Sequence, residues 1–166
     1  MLTKYLTVFL ISMIPLIELR GAIPFAAAWG LMPQDNIKQI IFTYGVCIIG
    51  NMIPVPVIYL FARKFLEWGQ DKKYISGICQ FFLVKGTKGG ERLSEKAGRG
   101  LFVALFLFVG IPLPGTGAWT GTLAASLLDM NFKETVIAVI LGVLLAGIIM
   151  LLISMGALGA LSSILN

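Results

Sequence analysis

Four long apolar stretches, at about residues 5–32, 39–62, 100–128 and 135–161, make up most of the chain. Each exceeds the ~20 residues that a helix needs to cross the hydrocarbon core of a membrane. Stretches 39–62 and 135–161 carry no charge and read as spanning helices. The first is expected to kink at Pro54 and Pro56. The second offers close helix contact at Gly142, Gly147 and Gly156. The other two are interrupted. In 5–32, Pro15, Gly21 and Pro24 surround Glu18 and Arg20. In 100–128, the run Phe108–Gly121 reads F-V-G-I-P-L-P-G-T-G-A-W-T-G, with Pro112, Pro114 and four glycines that include Gly121. Proline lacks the backbone N–H that a helix needs, and glycine adopts conformations that other residues resist. These positions therefore predict broken helices. Backbone freed at membrane depth is tolerated only inside protein or beside a wet cavity, and many transporters hold their substrate at such breaks.

The chain also repeats. A shift of 97 residues aligns Ile14-Pro15-Leu16 with Ile111-Pro112-Leu113, Ala27-Ala28 with Ala124-Ala125, Gly45-Val46 with Gly142-Val143 and Gly50 with Gly147. The proline and the glycines are the matches that apolar composition explains least. We read one membrane domain over 1–166. Repeat one occupies 1–62, a basic connector 63–99 and repeat two 100–166. Within the connector, 74–84 is too short to span and reads as interfacial, and 91–96 as a charged helical turn. Residues 159–166 read as a frayed or interfacial end.

Composition narrows the class. Hydrophobic residues are 58% and charged residues 13% of the 166, and the mean hydropathy is +0.93. That excludes an ordinary soluble domain. The net charge of +5 comes entirely from 63–99, where nine Lys/Arg face four Asp/Glu. Between apolar spans, such a loop marks the cytoplasmic side rather than a nucleic-acid surface. The acidic balance of 129–134 points mildly to an external loop and to full crossings by 5–32 and 100–128. The Pro/Gly breaks point instead to re-entrant hairpins, which we take as the expectation. There is no histidine, and Cys47 and Cys79 lie far apart. No metal motif, disulfide framework or cofactor is expected. Nor does anything suggest an enzyme. The N-terminal apolar run lacks a cleavage site and reads as retained.

Glu18 and Arg20 are the charged residues inside the apolar stretches. A charge at mid-membrane costs ~2.5 kcal/mol or more unless it has a partner or a wet cavity. Two readings stay open. Arg20 contacts an anion and Glu18 carries a proton or cation, or the two form a structural pair that holds the broken helix. In the matching place of the second half, Thr116, Trp119 and Thr120 offer polar groups, and Gly115 and Gly117 expose backbone N–H. Successive N–H groups at a half-helix N-terminus suit an anion; close helix packing is the alternative. Asn51 reads as polar glue between helices.

At E-L-R-G-A-I-P (Glu18–Pro24) and F-V-G-I-P-L-P-G-T-G-A-W-T-G, the sequence resembles the small multidrug export protein family, over nearly the whole chain. The resemblance extends distantly to the DedA proteins and the eukaryotic VTT-domain lipid scramblases. It implies two inverted repeats, each a re-entrant helical hairpin packed on a transmembrane helix. Glu18 and Arg20 would form one apex and Gly115–Thr120 the other. It also implies a bacterial or archaeal cell membrane. The arginine-bearing second motif of DedA is replaced here by G-T-G-A-W-T-G. The expected function is transport or flipping of an amphiphilic anion such as a lipid phosphate, with proton or ion coupling through Glu18. The alternatives are a drug or cation exporter and a non-transporting membrane scaffold. The expected partners are the lipid bilayer and the substrate, with a homodimer allowed.

Overall fold

The computed structural model describes residues 1–15, 17–69, 77 and 99–165, and their regular structure is all helical. The interfacial segment expected at 74–84 and the charged turn at 91–96 lie outside the described residues. The helices are α1 (Leu2–Met13), α2 (Glu18–Ala28), α3 (Ile37–Met52), α4 (Pro54–Gly69), α5 (Arg99–Gly110), α6 (Ala118–Leu127) and α7 (Phe132–Leu165). Asn36 caps α3, its side chain accepting from Gln39 N at 3.2 Å. Pro54 occupies the first position of α4, where its missing N–H costs least. Together α3 and α4 contain a 26-residue apolar run, Ile37–Ala62, and α7 contains another of 25, Phe132–Gly156. At 1.5 Å per residue these reach about 37–39 Å, enough to cross a ~30 Å hydrocarbon core.

The interrupted stretches form no single long helix. Residues 5–32 divide into α1 and α2, and 100–128 into α5 and α6, each arm 10 to 12 residues long. An arm of about 15–18 Å is too short to cross alone. The breaks fall at 14–17 and 111–117. Pro15, Pro112 and Pro114 sit in them, as expected. Gly21, Pro24 and Gly121 do not; they lie within α2 and α6. Their neighbours supply the reason. A Cβ on Gly21 would overlap the Ile17 side chain, and one on Gly121 would come within 2.6 Å of Val109. These glycines serve close approach rather than chain reversal. The C-terminal end is also more regular than expected, since α7 runs to Leu165.

Packing follows small residues. α2 turns back along α1, so that Lys4 Nζ donates to Trp29 O at 3.1 Å. α3 then runs alongside α1 in the same direction. Tyr5 meets Phe42 edge-on at 5.2 Å, and a Cβ on Gly50 would overlap Ser12 and come within 2.6 Å of Phe9 O. α5 and α7 pack in the same way, with Gly142 against Phe106 O and Val109. The short second arms cross over: α2 packs on α7, and α6 packs on α4. Ser126 Oγ donates to Tyr59 O at 3.0 Å, the Tyr59 hydroxyl donates to Met130 O, and Tyr59 stacks edge-on with Phe132. The first half of α4 therefore lies beside the start of α7. Near the centre, Tyr44 Oη donates to Leu144 O at 2.6 Å, over Gly147.

The molecule is apolar outside and small or polar within. Ile41 and Leu152 are 63% and 66% exposed, while Ser12, Thr43, Asn51, Thr122, Ser126 and Thr135 are buried. Water would penalise such a surface, whereas lipid is as apolar as the side chains and leaves close packing to hold the helices. This distribution and the two long apolar helices point to a membrane location. Gly50→Leu is expected to separate α1 from α3. Overpacking of this kind costs ~1–3 kcal/mol or more, visible as a lower melting temperature in detergent. Gly45→Leu, where nothing lies within 4 Å of a built Cβ, should leave it nearly unchanged.

Candidate functional site

The two breaks meet, and each is closed by the other half. Glu18 opens α2 with φ +49°, an uncommon backbone for a residue with a Cβ. Its carboxylate reaches across the interface. Oε2 accepts from Ala118 N and Oε1 from Trp119 N, both at 3.0 Å. These are the first two orphan donors of α6. Gly117 precedes them at φ +146°, and a Cβ there would overlap the Glu18 carboxylate. A residue a hundred positions away thus performs the capping that local sequence omits, since α6 has no side-chain cap of its own.

Arg20 serves the other side of the same break. Its guanidinium donates to Leu113 O and, at 3.4 Å, to Ile111 O, and reaches Thr116 Oγ1 at 2.6 Å. Thr116 Oγ1 lies 2.9 Å from the same two carbonyls. The cation thus sits on carbonyls at the C-terminal side of α5 and the anion on N–H groups at the N-terminal side of α6, each matching the local helix dipole. The contact is reciprocal: Trp119 Nε1 donates to Met13 O, at the last residue of α1, at 3.2 Å. Thr120 turns inward, its Oγ1 3.5 Å from Gly117 O.

Magnitudes explain how a carboxylate that is only 5% exposed is held. Hydrogen bonds to a charged group contribute ~1.5–3 kcal/mol each, and a helix terminus adds up to ~2 kcal/mol. Two such bonds and one terminus offset the ~2.5–3.5 kcal/mol that insertion scales assign to a central charge.

Beside the carboxylate lies a cavity of about 440 Å³. Glu18, which is buried, and Trp119 line its deeper part, exposed Pro15 also borders it, and Ile58 and Phe61 of α4 with Leu123 of α6 line the rest. Gly115, Thr116 and Thr120 also reach it. All seven candidate residues, Glu18, Arg20, Gly115, Thr116, Gly117, Trp119 and Thr120, are brought to one place. Glu18 and Arg20 engage the second half rather than each other through hydrogen bonds. The α4 contribution was not anticipated, because nothing in the order of Ile58 and Phe61 along a spanning helix marks which face meets α6.

The profile of a family described as "Putative small multi-drug export protein" matches residues 18–149. The chain belongs to this family. The match begins at Glu18, directly after the first break, and includes the second break and all of α6. Membership suggests a membrane transporter of the export type and specifies no substrate. No curated protein and no solved structure matches the chain.

Proposed function

We propose that this family member is a small exporter of lipophilic cations, built from two inverted repeats whose re-entrant apices enclose the substrate cavity. One observation carries the substrate class. The apex donors that suit an anion, Ala118 N and Trp119 N, are already taken by Glu18, and Arg20 is turned onto Leu113, Ile111 and Thr116. The cavity wall that remains is apolar and aromatic, with one carboxylate in it. Each carboxylate oxygen keeps lone-pair capacity beyond its backbone donor. A delocalised cation pairs with such a wall without the desolvation cost of a compact ion, and Trp119 adds a cation–π face.

The inverted arrangement is supported by three features. Matching breaks recur at a shift of 97 residues. The pairing of α1 with α3 is repeated by α5 with α7, and the crossed packing of α2 on α7 is repeated by α6 on α4. Tyr59 of α4 meets Phe132 at the start of α7, while Tyr44 of α3 meets Leu144 and Gly147 further along α7, so the α3–α4 run and α7 are antiparallel. With α1 parallel to α3, the first break lies level with Gly50, midway along the Ile37–Ala62 run. The basic connector 63–99 then lies on the cytoplasmic side.

Tetraphenylphosphonium is expected to raise the melting temperature of the purified protein. Glu18→Gln and Trp119→Leu should lose that increment relative to their own ligand-free baselines. Stabilisation by a polyprenyl phosphate alone, abolished by Arg20→Gln, would overturn this reading and restore the anionic substrate.

A further inference from the structure

We propose that the cavity takes its substrate sideways, from the cytoplasmic leaflet of the membrane, through the gap between α4 and α6. The proposal rests on the exporter reading above and adds the route of entry. The outer part of the cavity is formed by Ile58, Phe61 and Ala62 on one side and Leu123 on the other. Phe61 is 62% exposed and Leu123 41% exposed, so the gap reaches the outer surface. Its rim carries no charge. The one charged residue of the described lining, Glu18, lies at the inner end. Val57 and Leu60, which flank the rim on α4, are themselves more than half exposed. A mouth bordered by apolar side chains that face lipid opens to acyl chains, not to water.

Its depth assigns the leaflet. Ile58, Phe61 and Ala62 close the Ile37–Ala62 span, and Arg63 and Lys64 follow directly. The mouth therefore lies in the half of the bilayer next to the basic connector, which the charge rule places on the cytoplasmic side. The inner end, at Glu18 and Trp119, lies nearer the level of Gly50. A lipophilic cation dissolved in the inner leaflet meets an apolar path that ends at a carboxylate, and its charge gains a partner only after the gap is crossed. This suits compounds that partition into membranes.

The chain has three tryptophans, Trp29, Trp68 and Trp119. A Trp29→Phe/Trp68→Phe variant reports on the cavity through Trp119 alone. It is reconstituted in liposomes, and trypsin cleavage within 63–99 measures the fraction of connectors facing outward. Brominated phospholipid is then exchanged into the outer leaflet only. The quenched fraction of Trp119 emission is expected to equal the cleaved fraction, with aqueous iodide quenching at least several-fold less. Quenching that follows the uncleaved fraction, or iodide as effective as bromolipid, overturns the proposal. In the single-tryptophan or otherwise parental protein, Ala62→Phe narrows the mouth and is expected to weaken tetraphenylphosphonium affinity at least ~tenfold; unchanged affinity also overturns it. If leaflet-matched quenching persists but tetraphenylphosphonium neither binds nor stabilises, the lateral route stands and the cationic substrate class falls.

Discussion

Gly117→Ala should cripple this protein, although it adds a single methyl group. Two independent costs converge at that position. The backbone φ of +146° is a region that L side chains avoid, worth ~1–3 kcal/mol of strain. The new Cβ would also overlap the Glu18 carboxylate, whose Cδ lies 2.7 Å from where it must sit. Displacing the carboxylate leaves Ala118 N and Trp119 N without their acceptor, at ~1–3 kcal/mol each. Together these approach the whole stability of a small domain. A large fall in melting temperature and loss of transport are therefore expected. Gly115→Ala is the control. Its φ of +82° is equally unsuited to a side chain, but nothing lies within 4 Å of a built Cβ. That variant should show the strain alone. Equal effects at the two positions would mean that the Glu18 contact contributes nothing.

Glu18 and Arg20 lead to the second large effect, and the structure changes its expected form. Were they simply a buried ion pair, each neutralised variant would be unstable and the double variant would recover most of the loss. Their hydrogen-bond partners are instead separate backbone groups on the two sides of one break. Removing both charges leaves both sides uncapped. Glu18→Gln/Arg20→Gln is thus expected to be less stable than either single variant in thermal unfolding. Recovery to near the parent melting temperature would show that direct attraction between the two charges dominates. Arg20→Lys should fail to restore the parent, because one ammonium cannot present the planar fork that reaches Leu113, Ile111 and Thr116 together.

The interlocked breaks also bear on how the two halves could move if the protein works as the proposed exporter. An anion and a cation from one half hold both sides of the other half's break, and Trp119 returns the contact to Met13. Any motion that separates the halves at this level must break these bonds together. On the exporter reading proposed above, a substrate cation in the cavity would draw on the same carboxylate that holds Ala118 N and Trp119 N. Substrate binding and loosening of the apex therefore act on one side chain.

The sequence by itself determined the all-helical class, the two helical runs long and apolar enough to span a membrane, and the position of both breaks. Each rests on local chemistry: uninterrupted apolar length for 39–62 and 135–161, and missing N–H groups at Pro15, Pro112 and Pro114. It also singled out Glu18 and Arg20, because charge within an apolar run is costly wherever it lies. Only the tertiary structure decided what those charges do. A residue capping a helix a hundred positions away leaves no periodicity and no local motif. Gly21, Pro24 and Gly121 resembled breaks because proline and glycine signal a break or a close contact with the same letters. Within helices α2 and α6, neighbouring side chains and backbone decided between the two. The cavity wall from Ile58 and Phe61 was hidden for a related reason. On a spanning helix every face is apolar, so which face meets protein and which meets lipid is set by the partner helix alone.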